Sequence, residues 1–189
     1  MKNKISLIIF LGLSPRLFDQ SIFEYNESGL KPNYVVENID SLSQKELYNK
    51  TINWIKETFK NPNDVIKTTI DNEKVRIEGY QPNLFTWSRL MVNYDVGLFY
   101  TVEISFKDYK YKFEPIEIKS EFQPKGCYEP AVGYYITISL DNGTQLYKKN
   151  GKLKCSNTLP QSFSKFINSL NANLKDFLIN STKVSEENW

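Results

Sequence analysis

"SQKELYNKTINWIKETFKNPNDVIKTTI", residues 43–70, begins like a helix, stops at a proline and resumes with the alternation of a strand. Ser43 and Glu46 have the spacing of a capping box, in which each side chain accepts a hydrogen bond from the other residue's backbone N–H. Leu47, Tyr48, Thr51, Ile52, Trp54, Ile55 and Phe59 recur at helical spacing and leave Lys45, Asn49, Asn53 and Lys56 for water. Asn61-Pro62 ends the helix, because proline disfavours a helical residue before it and has no N–H to donate. The period then drops to two. "DVIKTTI" crosses Asp71-Asn72, which is turn chemistry, into "VRIEGY", where Val75 and Ile77 face one way and Arg76 and Glu78 the other. The stretch therefore predicts an amphipathic helix and a hairpin, the opening of an α+β domain with its helix laid on a sheet.

Working outward, "NYVVENI" (33–39) reads as a short strand after a polar leader, 21–32, broken by Gly29 and Pro32. Residues 83–95 either alternate as a strand or hold a short helical turn near Trp87, and Asp95-Val96-Gly97 reads as a turn. "LFYTVEISFKDYKYKFEPIEI" (98–118) is the clearest β signal: Val102, Ile104 and Phe106 alternate up to a Lys107-Asp108 turn, and Tyr111 and Phe113 continue beyond it. Pro115 shifts the phase, so Ile116 and Ile118 are expected on a bulge or an edge. Residues 123–157 are a distinct block with two tight-turn dipeptides, Asn142-Gly143 and Asn150-Gly151, and three short strands are expected between Cys127 and Cys155. In "TLPQSFSKFINSLNANLKDFLIN" (158–180), Thr158 and Gln161 offer a second capping box, and Phe163, Phe166, Ile167, Leu170, Leu174, Phe177 and Leu178 form one apolar stripe. With no repeat and no linker, residues 21–182 read as a single domain, followed by a patternless tail, 183–189, expected to be mobile.

The chain begins "MKNKISLIIFLGLSPRLFDQ". Two lysines precede an apolar run, Ile5 to Leu13, that is too short to span a bilayer, which takes roughly 20 residues. It suits a secretory signal over residues 1–20, with the cleavage site undefined; the competing reading is a buried N-terminal strand. Removing residues 1–20 takes three basic and one acidic side chain from totals of 24 and 22, which leaves the two signs equal. A neutral chain has no broad field for phosphate backbones or anionic lipid, so nucleic acid is not an expected partner. In an exported protein Cys127 and Cys155 read as a disulfide, against the alternative of two separate buried thiols.

The order strand, helix, four strands, helix resembles the family described as a domain of unknown function with TBP-like fold, found in exported proteins of Gram-negative bacteria. The likeness is carried by "KELYNKTINWIKETFKNPNDVI", by "KVRIEGY" and by "YTVEISFKDYKYKFEPIEI", over roughly residues 34–120 and more loosely the final helix. It implies a TBP-like or helix-grip-like β-α-β(4)-α fold; block 123–157 departs from that pattern and reads as a hairpin insertion before the last helix. It implies residence in the periplasm or cell envelope and carries no activity with it. DNA binding does not transfer from a name that describes fold geometry.

The 189 residues contain no histidine, which removes the commonest general base and metal ligand and every Ser-His or Cys-His pair. Two cysteines so far apart match no zinc spacing, and no glycine-rich phosphate loop occurs. The carboxylate pairs Asp71/Glu73 and Glu114/Glu117 read as solvated charges. No enzyme, cofactor or metal is expected. Two sets of aromatic residues remain. Trp54, Trp87, Phe106, Phe113, Phe166 and Phe177 either fill the core between sheet and helices or line an apolar pocket under the last helix. Tyr128, Tyr134, Tyr135 and Tyr147 either pair across strands or form a contact surface on an exposed hairpin. The expected function is that of a non-enzymatic binding module of the cell envelope, with a carrier of a small apolar ligand as the alternative.

Overall fold

The computed structural model describes residues 22–120 and 134–183. The elements run β1 (Glu24–Asn26), β2 (Gly29–Lys31), β3 (Val35–Asn38), α1 (Gln44–Thr58), α2 (Pro62–Val65), β4 (Ile66–Ile70), β5 (Lys74–Arg89), β6 (Val92–Lys107), β7 (Lys110–Ser120), β8 (Ile136–Ile138), β9 (Ser156–Asn157) and α3 (Leu159–Lys183). The expected signal over 1–20, the residues Cys127 and Tyr128, and the tail from 184 lie outside the described residues.

The opening helix forms as its sequence dictates. Ser43 is the N-cap: Glu46 Oε2 accepts from the Ser43 N–H at 2.9 Å, and the Ser43 hydroxyl accepts from the Glu46 N–H. The Ser43 hydroxyl, which also donates to Glu46 Oε2, and then the Ser43 N–H hold the Glu46 carboxyl below the usual carboxylate range. Leu47, Thr51, Trp54 and Ile55 are buried, and Pro62 starts the single turn of α2. Gln44 fastens α1 to the sheet, donating its backbone N–H to Asp108 Oδ1 and its side chain to the Phe106 carbonyl.

The main sheet is antiparallel in the order β3-β7-β6-β5-β4, with β8 added to the far half of β7 and β9 to the far half of β5. Its register separates two faces. Val75 opposes Ile104, Ile77 opposes Val102, and Phe113 opposes Ile104 from the other side, all of them buried. α1 lies against β6 and β7, α3 against β5 and β1, and the two helices touch each other on this face. The opposite face carries Lys74, Arg76, Glu78, Lys112, Glu114 and Lys119. The sheet bends where its ladders slip, at Gln81/Phe85 in β5 and at Thr101/Val102 beside β7. The second slip leaves Ile116 without a partner in the β6–β7 ladder, the bulge expected after Pro115, whereas Ile118 pairs with Tyr100 and is buried. The result is the α+β architecture with β-α-β(4)-α order expected from the sequence.

Four local expectations need correction, and the choice left open over residues 83–95 falls to the strand. Residues 21–32 are not merely a leader: β1 and β2 form a hairpin whose Phe23, Tyr25 and Leu30 are buried. Its outer backbone groups are met by helix side chains, with the Phe23 N–H donating to Asn168 Oδ1 at 2.9 Å and the Tyr25 N–H to Ser164 Oγ at 2.8 Å. Residues 83–95 contain no helical turn, since β5 continues to Arg89. Asp95-Val96-Gly97 is no turn but the middle of a ladder, and Gly97 serves packing: a β-carbon there would meet the Tyr80 hydroxyl at 2.1 Å. The Thr158 hydroxyl accepts from the Thr86 N–H at 2.9 Å, and Asn157 Oδ1 accepts from the Leu159 N–H, so no Thr158–Gln161 box starts α3. In place of three strands between the cysteines, the described residues hold β8 and a Tyr147–Leu153 bridge closed at Asn150-Gly151, with β9 following Cys155.

Candidate functional site

The aromatic residues singled out as a possible pocket lie in the core. Trp54, Trp87 and Phe113 are at most 1% exposed and Phe106 is buried, while Phe166 and Phe177 are partly buried against the cluster. Trp54 donates its indole N–H to Asn173 Oδ1 at 2.7 Å and meets Phe59 edge-on, and Phe166 meets Tyr100 edge-on at 4.8 Å. Trp87 stacks on Tyr94 with 4.9 Å between centroids. These rings face different neighbours from β5, β6, β7, α1 and α3. They are brought together as filling, not as the wall of one cavity.

Inside that core sits a polar chain the sequence does not advertise. Tyr111 is fully buried and donates its hydroxyl to Asn171 Oδ1 at 3.0 Å. The Asn171 amide donates to Glu37 Oε1 at 3.1 Å, and Lys175 Nζ pairs with Glu37 Oε2 at 2.7 Å. Burial pushes the Tyr111 hydroxyl far above the usual tyrosine range, and the nearby negative charges of Glu37 and Asp176 add to it. The register places Glu37 opposite Tyr111, so the carboxylate points at α3 while Val36 faces water. A phenol, an amide, a carboxylate and an ammonium linked in that order have their valences met by one another, which suits fixing a helix on a sheet better than reacting with a substrate.

The open face of the sheet is a lattice of paired charges. Arg76 and Lys74 both reach Glu103, at 2.7 and 3.4 Å, Lys67 pairs with Glu78, and Lys119 with Glu117. Burial pushes the Glu103 carboxyl up, but its hydrogen bonds from Arg76 and Lys74 outweigh that and hold it below the usual carboxylate range. Glu114 pairs with Lys112, so the candidate carboxylates Glu114 and Glu117 each have a cation. Asp71 accepts from the Tyr48 hydroxyl at 3.2 Å in the β4–β5 turn. Among the described residues no group of three His, Cys, Asp or Glu side chains converges as a metal site would require.

Within this lattice one aromatic corner is exposed. Tyr80 lies on Phe99 with 4.7 Å between centroids, and Tyr135 meets Phe99 edge-on at 4.8 Å. Tyr80, Tyr134 and Tyr135 are 51%, 72% and 48% exposed. A cleft of about 200 Å³ opens between Phe99, Tyr135, Glu78 and Lys119. A second, of about 460 Å³, lies along the edge of β7 between β3 and β8, where Glu114–Glu117 have no strand partner on that side among the described residues. Two of the four tyrosines expected as a contact surface, Tyr134 and Tyr135, therefore stand at this corner. Tyr147 does not join them: it is half-buried, reaches the Tyr25 carbonyl and lines a different cavity with Glu27 and Lys148. Sequence reading misses Tyr80 and Phe99, which come together only because the β5–β6 register pairs them and the Tyr80 ring reaches over Gly97. Cys155 is buried, and its pairing with Cys127 falls outside the described residues.

Residues 34–120 match the model of a family described as a "Domain of unknown function (DUF4468) with TBP-like fold". None of the curated proteins matches the sequence. Among solved structures, the chain is similar to a DUF4468 family protein from Bacteroides ovatus, with a TM-score of 0.54 and 12% identity over 80% of this chain and 87% of that one. It is also similar to a TBP-like protein from Parabacteroides distasonis, with a TM-score of 0.52 and 16% identity over 78% and 91% of the two chains. At these identities the likeness concerns the fold. No helix among the described residues is long and apolar enough to cross a membrane.

Proposed function

Starting from a chain whose residues 34–120 carry a domain of unknown function with TBP-like fold, we propose a non-enzymatic binding module exported to the periplasm or cell envelope of a Gram-negative bacterium. The observation that carries the reading is the aromatic corner of Tyr80, Phe99, Tyr134 and Tyr135 beside the open edge of β7. Rigid rings add contact area at small entropic cost, and an exposed strand edge offers backbone groups to an extended segment of a partner. The surrounding charges already pair with each other, which argues for a protein or envelope component rather than nucleic acid. The lack of histidine supports a role without catalysis.

The test is retention of one envelope component on the immobilised protein and on a Tyr134→Ala/Tyr135→Ala variant. The reading requires retention to fall at least tenfold while thermal stability stays within error. Equal retention by both proteins overturns it. Export is tested by sequencing the N-terminus of the protein recovered from the envelope. A processed end within about the first 20 residues is expected, and an intact Met1 on cytoplasmic material removes the claim. The carrier of an apolar ligand remains the second reading, and it is weakened by the burial of Trp54, Trp87 and Phe113 within a filled core.

A further inference from the structure

A different corner of the molecule carries features that the aromatic corner does not explain. β5 turns into β6 through Leu90 and Met91, with Arg89 opposite Val92. Both turn residues have positive φ, 47° and 66°, which makes a type I′ turn. That turn favours Asn-Gly, because side chains with bulk at the β-carbon crowd the backbone in the left-handed region. Here it holds two aliphatic side chains that are 86% and 104% exposed, followed by Val92 at 50%. Strained backbone and water-exposed apolar surface both work against folding, and nothing within the fold repays either.

The second feature is charge. The hairpin closed by Asn150-Gly151 carries Lys148, Lys149 and Lys152, all exposed and in none of the ion pairs among the described residues. A cavity of about 550 Å³ beside it is lined by Lys148, Lys149, Lys154, Tyr147 and Glu27, and Glu24 also acts on Tyr147. Lys154 donates to the Thr144 carbonyl. Four cations, Lys154 among them, thus stand beside two carboxylates. The hairpin leads straight into β9, whose Ser156 opposes Ser88. Lys154 lies two residues before Ser156 and Leu90 two beyond Ser88, so the antiparallel register runs both chains toward one end of the sheet, the aliphatic tip on one and the lysine hairpin beyond Lys154 on the other.

We propose that this corner docks on the surface of an anionic phospholipid bilayer. Leu90, Met91 and Val92 enter the interface between headgroups and acyl chains, and Lys148, Lys149 and Lys152 meet the lipid phosphates. An apolar tip alone fits many partners. Its combination with unneutralised lysines selects an interface that is oily within and negatively charged at its surface.

The experiment is flotation of the purified chain with vesicles of phosphatidylcholine alone and of phosphatidylcholine with phosphatidylglycerol, at low and high salt. The chain should float with the anionic vesicles only, and added salt should weaken the binding. The variant Leu90→Asn/Met91→Gly gives the turn its preferred residues. It should lose vesicle binding while its denaturation midpoint rises, which separates docking from folding. Lys148→Gln/Lys149→Gln/Lys152→Gln should bind about a hundredfold more weakly, at roughly fivefold per lysine. Equal flotation with neutral vesicles, unchanged binding by either variant, or a lowered midpoint in the turn variant overturns the proposal. So does a concentration-dependent dimer that the turn variant abolishes, because the tip would then serve a second copy of the chain. None of these results bears on the Tyr134/Tyr135 experiment.

Discussion

Replacing Tyr111 with phenylalanine removes one oxygen and leaves the ring. The hydroxyl is fully buried and donates to Asn171 Oδ1 at 3.0 Å, and Asn171 itself is 3% exposed. With the donor gone, the amide oxygen has no water to turn to, so the loss is that of a buried polar atom left unmet, about 1–3 kcal/mol. No cavity larger than the missing atom forms, and a value near 2 kcal/mol is expected. At about 2–4 °C per kcal/mol for a domain of this size, the midpoint should fall by about 6 °C. The assay is urea unfolding followed by tryptophan fluorescence, repeated for Asn171→Leu and for the double variant. Asn171→Leu alone strands Glu37 Oε1 and leaves the Tyr111 hydroxyl only its long contact to the residue 171 carbonyl, at 3.5 Å. Adding Tyr111→Phe to it should therefore cost less than it does in the wild type, with a coupling of about 1 kcal/mol or more. A Tyr111→Phe protein within about 0.5 kcal/mol of wild type, or strict additivity, refutes the view that this chain seats α3 on the sheet.

Gly79→Ala and Gly97→Ala should differ in cost although both sit in the β5–β6 ladder. A β-carbon at Gly79 meets the buried Tyr100 hydroxyl at 2.3 Å and should cost about 1–3 kcal/mol, whereas the one at Gly97 pushes on half-exposed Tyr80 and should cost less. Urea midpoints of the two variants decide it. Burial raises the Tyr100 hydroxyl to about 12, and those of Tyr25 and Tyr111 move the same way. The unfolded chain ionises near pH 10, so stability is intact below that and is lost as pH climbs toward 12, by on the order of 3 kcal/mol for Tyr100 alone. Tyrosinate absorbance should accordingly show an ordinary class and a second class that appears only with unfolding. For Cys127 and Cys155, alkylation in denaturant without reductant should leave the mass unchanged, while two added groups would rule out the bond.

Some of this architecture is legible in the sequence because local rules and tertiary demands coincide there. Ser43, Glu46 and the spacing from Leu47 to Phe59 announce α1, and the cap observed is the one the residues describe. Pro115 announces the bulge at Ile116. Legibility fails where distant groups supply what local chemistry lacks. The β1–β2 hairpin looks polar because its outer edge is satisfied by Ser164 and Asn168, 139 and 145 residues away. Glu37 is on the buried face only because Asn171 and Lys175 reach it from α3. The turn at Leu90-Met91 lacks every turn residue, while Gly97, which looks like one, makes room for a ring. The aromatic corner needed the β5–β6 register, since Tyr80 and Phe99 meet only when directly paired. Tyr134 and Tyr135 could be named from composition and turn signals alone.

Native mass spectrometry of the purified protein tests most directly the proposal of binding at the surface against that of a ligand carried in the interior. A core filled by Trp54, Trp87 and Phe113 predicts the mass of the polypeptide alone, with no small molecule attached. A constant added mass that survives desolvation and leaves on unfolding would place a ligand among those rings, and the surface-binding account would fall.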